Sequence, residues 1–132
     1  MRYRLNINGE KIVYPTDVEL NRVFQSDVGG AEGDILVQDY LDFIHDADLL
    51  IADGQYTEEE YSIKVGWGHS SIPVLIDLAD RAQVKQLAIF HHDPQHSEKI
   101  LDKLWMEIRS RYPSSDKKMH VFWAREGLTL VI

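Results

Sequence analysis

Side chains that can do acid–base or metal chemistry follow four short apolar segments of the sequence. They are Asp17, Asp53, the pair His91 and His92, and Glu126. Carboxylates and imidazoles transfer protons in catalysis, and they are the usual ligands of divalent metals. In α/β sheets, ligands bind beyond the carboxyl ends of the strands. If the apolar segments are neighbouring strands, the sequence predicts a site at that edge of the sheet.

The densest cluster of such residues is the segment 91–96, which reads HHDPQH. Imidazole and carboxylate ligands suit zinc, iron and manganese. Adjacent residues of a strand point to opposite faces, so at most one of His91 and His92 can serve a given site if the strand continues through them. We expect His96 to be a loop histidine whose hydrogen bonds are satisfied within the protein.

A second cluster, GWGHSS, covers residues 66–71. Its glycines allow a sharp turn or a close approach to a ligand. His69 precedes a predicted helix, whose free N–H groups and dipole favour an anion, and it can orient or protonate a phosphate or a leaving group. The alternative interpretation is a glycine-rich turn with a capping histidine.

The apolar pattern predicts the elements that must position these residues. Asn8-Gly9 indicates a tight hairpin turn, and Pro113 ends the last predicted helix. The order hairpin-α-β-α-β-α-β-β favours a mixed α/β layered sheet, covered by helices on both sides or by a helix layer and another sheet. The predicted strands are 3–7, 11–14, 49–52, 87–90, 121–124 and 128–132, and the predicted helices are 35–46, one that begins at Ser70 or Ser71, and one that begins at Ser97.

Length and composition limit the class of protein. The chain has 132 residues, which predicts a single domain over residues 1–132. It has no cysteine, which excludes a disulfide framework, a thiolate metal site and a cysteine nucleophile. This composition is compatible with the cytoplasm, where we place the protein. No apolar segment approaches the roughly 20 residues that span a bilayer, so we expect no membrane partner.

The charge is acidic and unevenly distributed. The net charge is −8, and residues 17–60 hold 13 acidic residues and one basic residue, Arg22. A protein that binds long nucleic acid carries a basic surface, so we expect no such partner. A small anionic substrate is compatible with the charge, because a metal ion can supply positive charge.

Four segments in series carry a family resemblance. They are VYPTDVE at 13–19, LLIADGQYT at 49–57, GWGHSS at 66–71 and LAIFHHDP at 87–94. In this order and spacing, they resemble the C-terminal half of a metallo-β-lactamase-fold hydrolase. The nearest branch is the cyclic-nucleotide-phosphodiesterase-like and ribonuclease Z-like group. The resemblance implies a mixed-sheet half, or remnant, of an αββα sandwich with metals between its two sheets.

The resemblance also implies roles for individual residues. Asp17 matches the carboxylate that bridges two metals, and His91 matches the last histidine ligand. His69 matches a segment that lies near the scissile phosphate in the ribonuclease Z-like branch, and Asp53 lies where that branch carries a catalytic acidic–histidine motif, which implies catalytic roles for both. Ser70 and Tyr56 belong to the same segments and are expected to bind substrate. The implied cofactor is a divalent metal, zinc, with manganese or iron as alternatives.

The chain departs from the family in lacking the main metal motif, His-x-His-x-Asp-His. That motif belongs to the N-terminal half of the family fold. The function predicted from the resemblance is therefore one part of a metal-dependent hydrolase of phosphodiesters or small anionic esters. A homodimer or a separate N-terminal half would complete the site. None of the six histidines has the missing spacing: His45, His69, His91, His92, His96 and His120.

Two other functions fit parts of the sequence. A degenerate copy of the fold would serve as a non-catalytic interaction or dimerisation module, which the missing motif favours. A phospho-acceptor regulatory domain would use an acidic cluster around Asp53, but it needs a lysine after a strand. Lys85 precedes its predicted strand, so the regulatory domain fits less well.

Overall fold

Five strands form one mixed sheet in the part of the chain that the structure describes. The structure is a computed structural model that describes residues 1–25, 31–111 and 119–132. The strand order is β1-β2-β3-β4-β5, with β1 antiparallel to β2 and the other neighbours parallel. The strands are β1 (Tyr3–Ile7), β2 (Glu10–Tyr14), β3 (Leu49–Asp53), β4 (Gln86–Phe90) and β5 (His120–Trp123).

The hairpin confirms the turn prediction. Asn8 and Gly9 have φ values of 54° and 93°, the left-handed backbone of a two-residue hairpin turn. Because the turn sets the register, Leu5 lies opposite Ile12.

Five described helices connect the strands. Two of them, α1 and α3, are absent from the prediction, and α2 begins four residues before the predicted start. Residue 113, the predicted end of the last helix, lies outside the described residues. The helices are α1 (Leu20–Gln25), α2 (Ala31–Ile44), α3 (Glu58–Ile63), α4 (Ile72–Arg81) and α5 (Glu98–Arg111).

The helices α1, α2, α4 and α5 pack into one core on one face of the sheet. Val13, Leu50 and Leu87 form a row across β2, β3 and β4 and are fully buried. Burying each such side chain stabilises the fold by about 1.5–3 kcal/mol. The helices add these buried residues: Leu20, Tyr40, Ile44, Leu75, Ile76, Leu78, Ala79 and Ile108.

The hairpin presents an apolar surface on its other face. Arg4 lies on the helix side, where its guanidinium covers the ring of Phe43. Its neighbours Leu5 and Ile7 point the other way and are 53% and 51% exposed. The described residues therefore form a helix layer on one side of the sheet, and helices on both sides are not found.

The predicted strand over residues 128–132 is wrong. These residues have no strand structure, and Val131 is 94% exposed. An alternating apolar segment becomes a strand only when a neighbour accepts its backbone hydrogen bonds. No described strand pairs with this one.

None of the described helices is long and apolar enough to cross a membrane.

Asp48 ties together the amino ends of three strands, at the edge opposite the predicted site. Its carboxylate accepts hydrogen bonds from the Lys11 backbone N–H at 2.7 Å and from the Lys85 ammonium at 2.5 Å. The Lys11 bond, followed by the Lys85 bond, holds the pKa of the Asp48 carboxyl below its usual range.

We predict that Asp48→Asn lowers the free energy of unfolding at pH 7 by about 1–2 kcal/mol, because a charged acceptor is lost. The folded pKa lies below the unfolded value of about 3.9, so this stabilisation is complete above pH 4 or so and is lost as the pH falls through the folded pKa. Thermal unfolding from pH 7 to pH 2 measures it, and the two melting curves should converge in acid. Asp102→Asn, which removes the same charge from an exposed position, is the control. An equal loss of unfolding free energy in Asp48→Asn at every pH would contradict the role assigned to the Asp48 carboxylate.

Candidate functional site

Four side chains that can bind a metal converge at the carboxyl edge of the sheet. Asp17 follows β2, Asp53 ends β3, His91 follows β4, and His69 lies in the loop before α4. Each offers one ligand atom, and these four atoms all lie within 4.8 Å of one another. Because β2, β3 and β4 are parallel, three of the residues reach the same edge.

The cluster consists of two carboxylate–histidine pairs. Nδ1 of His69 lies 2.8 Å from Oδ2 of Asp53, and Nδ1 of His91 lies 3.1 Å from Oδ1 of Asp17. The two imidazole rings meet edge to face, with centroids 4.5 Å apart. With Nδ1 bonded to a carboxylate, Nε2 of each histidine is left for a metal or a substrate.

The cluster is closed at one end and open at the other. The Asp53 side chain is fully buried, His69 is largely buried, and Asp17 is half exposed. Burial raises the pKa of the Asp53 carboxyl, although the hydrogen bond and charge of His69 oppose this. A ligand therefore reaches the cluster from the side of Asp17.

Gly54 lets the end of β3 lie deep in the core. A Cβ atom there would stand 2.6 Å from Cγ2 of Ile89 and 3.2 Å from Cδ2 of Leu75. The missing side chain allows this close approach, and Asp53 is buried as a result.

Glu19 clamps the glycine loop that leads to His69. Its Oε1 accepts hydrogen bonds from the Gly66 N–H at 2.6 Å and the Tyr61 hydroxyl at 2.8 Å. Its Oε2 accepts one from the Gly68 N–H at 3.2 Å. Glu19 lies two residues after Asp17, so one carboxylate links the segments that carry Asp17 and His69.

Ser70 and Asn21 complete this link. The Ser70 hydroxyl donates to the Val18 carbonyl and accepts from the Leu20 N–H at 3.0 Å. The Asn21 amide exchanges two hydrogen bonds with Ser71. Ser70 is fully buried. The structure therefore gives it a structural role and does not support the predicted contact with substrate.

Tyr56 is also buried and has a supporting position. Its ring lies edge-on to His69, with centroids 6.0 Å apart, and the Lys64 ammonium lies over it at 4.6 Å. Only 1% of its surface is exposed, and the contact with substrate that the sequence predicted for it stays a prediction. Lys64 also pairs with Asp93, which connects α3 to the loop after β4.

Two residues of the cluster region have strained backbone. Thr16 and His91 have φ values of 62° and 61°, a left-handed conformation that costs an L residue about 1–2 kcal/mol. Such strain persists where the surrounding structure imposes it, and it is concentrated at functional sites.

The sequence predicted that the first N–H groups of α4 are free to bind an anion, and for these groups the prediction is wrong. The Ser71 N–H donates to Asn21 Oδ1, and the Ile72 N–H donates to the Tyr56 carbonyl. Pro73 has no N–H. The amides that the sequence offered to an anion are therefore bonded within the protein.

The remaining predicted residues lie apart from the cluster. His92 lies apart from the cluster and faces a cavity of about 450 Å³ that Trp123, Arg125 and Glu126 also line. His91 follows β4 with a left-handed backbone, so this turn and not strand alternation sets the direction of its side chain. Burial lowers the pKa of His92. His96 is bonded to Glu60 at 2.6 Å, which confirms that its ring is hydrogen-bonded within the protein.

The four clustered residues fit a divalent metal. Two imidazoles and two carboxylates suit zinc, and the ligand atoms of a tetrahedral zinc site lie roughly 3.3–3.6 Å apart. In the cluster, the four ligand atoms lie within 4.8 Å of one another. Oδ1 of Asp53 is buried with no hydrogen-bond partner among the described residues, which leaves an acceptor beside the cluster.

Comparison with solved structures shows the fold. The metallo-β-lactamase fold protein YhfI from Bacillus subtilis matches 96% of this chain at 18% identity, with a TM-score of 0.62. The short form of human tRNase Z matches 94% at 17% identity, with a TM-score of 0.55. This chain covers 42% and 34% of those chains, less than half of either.

The chain thus has the fold of one part of a metallo-β-lactamase-fold protein, as the sequence predicted. The sequence matches no protein-family model and no curated protein.

Sequence reasoning missed the residues that assemble the cluster. Glu19, Tyr61 and Asn21 have no signal of their own, because their partners lie more than 40 residues away. It also assigned only Asp17 and His91 to the metal, whereas the structure brings Asp53 and His69 to the same place.

Proposed function

We propose that this chain is part of a metal-dependent hydrolase that acts on a phosphodiester or a small anionic ester. The convergence of Asp17, Asp53, His69 and His91 carries this proposal. The fold shared with tRNase Z, a nuclease by its name, supports a phosphodiester substrate. Zinc, with manganese or iron as alternatives, and a cytoplasmic location stay predictions from the sequence.

Asp17 and His91 would hold the metal at the open end of the cluster. A bound divalent metal supplies a Lewis acid and lowers the pKa of a bound water. The hydrogen bond between Asp17 and Nδ1 of His91 orients the imidazole and leaves its Nε2 atom available to a metal or a substrate. The strained backbone at His91 turns this side chain into the cluster while His92 points out.

His69 would donate a proton to the leaving oxygen, and Asp53 would position it. With the Nδ1–H of His69 donating to Asp53, the doubly protonated imidazole would carry the transferable proton on Nε2. The buried Asp53 and the ring of Tyr56 restrict the imidazole to one orientation. Ser70 and Tyr56 support His69 from the protein interior.

We predict that the chain binds zinc and that His91→Ala and Asp17→Asn each weaken binding at least tenfold, because each removes a ligand. Isothermal titration with ZnCl2 measures this. Zinc at 100 times its dissociation constant should also stabilise the wild type by about 2.7 kcal/mol.

His45→Ala is the matched control for zinc binding. His45 is exposed and lies before β3, at the opposite edge of the sheet. Equal zinc affinity in His45→Ala and His91→Ala would contradict the site. Absence of zinc binding in the wild type would favour the alternative function, a non-catalytic interaction module.

We predict that His69→Asn slows hydrolysis of diphenyl phosphate by about 10²–10³, because a basic leaving group needs a proton donor. Hydrolysis of bis(p-nitrophenyl) phosphate should fall much less, since nitrophenolate leaves without protonation. Steady-state rates with zinc measure both. An equal loss for the two esters would contradict the proton-donor role.

We propose further that a second copy of this chain covers the apolar face of the hairpin. Leu5 and Ile7 are half exposed there, and a second sheet layer would bury them. Sedimentation velocity should give the mass of a dimer, and Leu5→Lys should give a monomer. A monomeric wild type would contradict the homodimer and would favour a separate chain that carries the other half of the fold.

A further inference from the structure

Trp67 presents an exposed indole in the loop that carries His69, one of the four clustered residues. It is 67% exposed, whereas Trp123 is buried in the core. Ile63 and Val65 precede it and are 79% and 55% exposed. Large apolar side chains that are exposed together mark binding surfaces.

The backbone around Trp67 is held in place. The amides before and after it, of Gly66 and Gly68, donate to the carboxylate of Glu19. The Trp67 N–H itself donates to the Lys64 carbonyl at 3.2 Å. A large aromatic side chain on an ordered backbone loses little conformational entropy on binding, which makes it an effective contact residue.

The position of Trp67 relates it to the cluster. It lies two residues before His69, so their Cα atoms are at most about 7 Å apart. The same Glu19 carboxylate connects this loop to the segment of Asp17. The indole therefore belongs to the same ordered loop as His69, a short distance along the chain from the cluster.

We propose that Trp67 binds a flat aromatic group of the substrate by stacking, next to the ester that the metal cluster holds. The inference rests on the proposed function, since the cluster must hold the anionic part of the same molecule. Stacking of a flat ring on an aromatic side chain should strengthen binding by about tenfold.

Two phosphonates that differ only in the ring test this inference on the zinc-loaded chain. Phenylphosphonate and methylphosphonate carry the same anionic group, and hydrolysis of an ester bond does not consume them. The chain has three tryptophans, so it shows three indole N–H resonances, and Trp67→Phe removes and thereby assigns one. Titration followed by NMR and calorimetry gives the contact and the affinity.

We expect phenylphosphonate to bind about tenfold more tightly than methylphosphonate and to shift the Trp67 indole resonance. Trp67→Ala should abolish this preference, and Trp67→Phe should keep most of it. Met106→Ala, which removes an exposed apolar side chain from α5, should leave the preference unchanged.

Three results would overturn the inference. If the chain binds zinc but binds the two phosphonates with equal affinity, the inference is overturned and the proposed function is not. The same follows if Trp67→Ala binds zinc and keeps the preference for phenylphosphonate. A Trp67 resonance that shifts with protein concentration and not with phenylphosphonate assigns the indole to self-association. Absence of zinc binding overturns the proposed function and this inference with it.

Discussion

The carboxylate of Glu19 joins the chain segments that carry Asp17 and His69, and the hydrogen bonds of Ser70 and Asn21 reinforce this link. It accepts hydrogen bonds from Gly66, Gly68 and the hydroxyl of Tyr61. Hydrogen bonds to a charged acceptor are stronger than those to a neutral one. The position of His69 beside Asp17 depends on this carboxylate, and so does the display of the Trp67 indole. The site is therefore built as much by side-chain bonds to backbone as by the strands.

Burial divides the four clustered residues into two pairs with different chemistry. Asp53 is inside the protein and His69 is largely buried, whereas Asp17 and His91 are open to solvent. A carboxylate in the interior is suited to orienting one imidazole, because few other groups compete for its oxygens. A carboxylate at the surface is suited to binding an ion that arrives from solvent. One sheet edge thus offers both a proton donor and a metal site.

The two faces of the sheet differ, as expected for one part of a larger fold. One face holds the helices and the core, and the hairpin leaves apolar side chains on the other. The solved structures of this fold have chains more than twice as long as the part that matches. A second layer on the open face would remove Leu5 and Ile7 from water and would enclose the cluster, where electrostatic interactions are stronger than in solvent.

The sequence by itself determined the local features of this protein. Asn8-Gly9 specifies the hairpin, because only a few residue types tolerate its left-handed backbone. The apolar segments 3–7, 49–52 and 87–90 form strands, as their pattern predicts. The residues Thr57 and Glu60 form a capping box that marks the start of α3, so the sequence holds a signal for this helix that the prediction did not include. Only the tertiary structure decided that residues 128–132 form no strand, that Ser70 and Tyr56 are buried, and that Glu19 holds the glycine loop. Each of these depends on partners distant in sequence, whose proximity is a property of the folded chain and not of any local pattern.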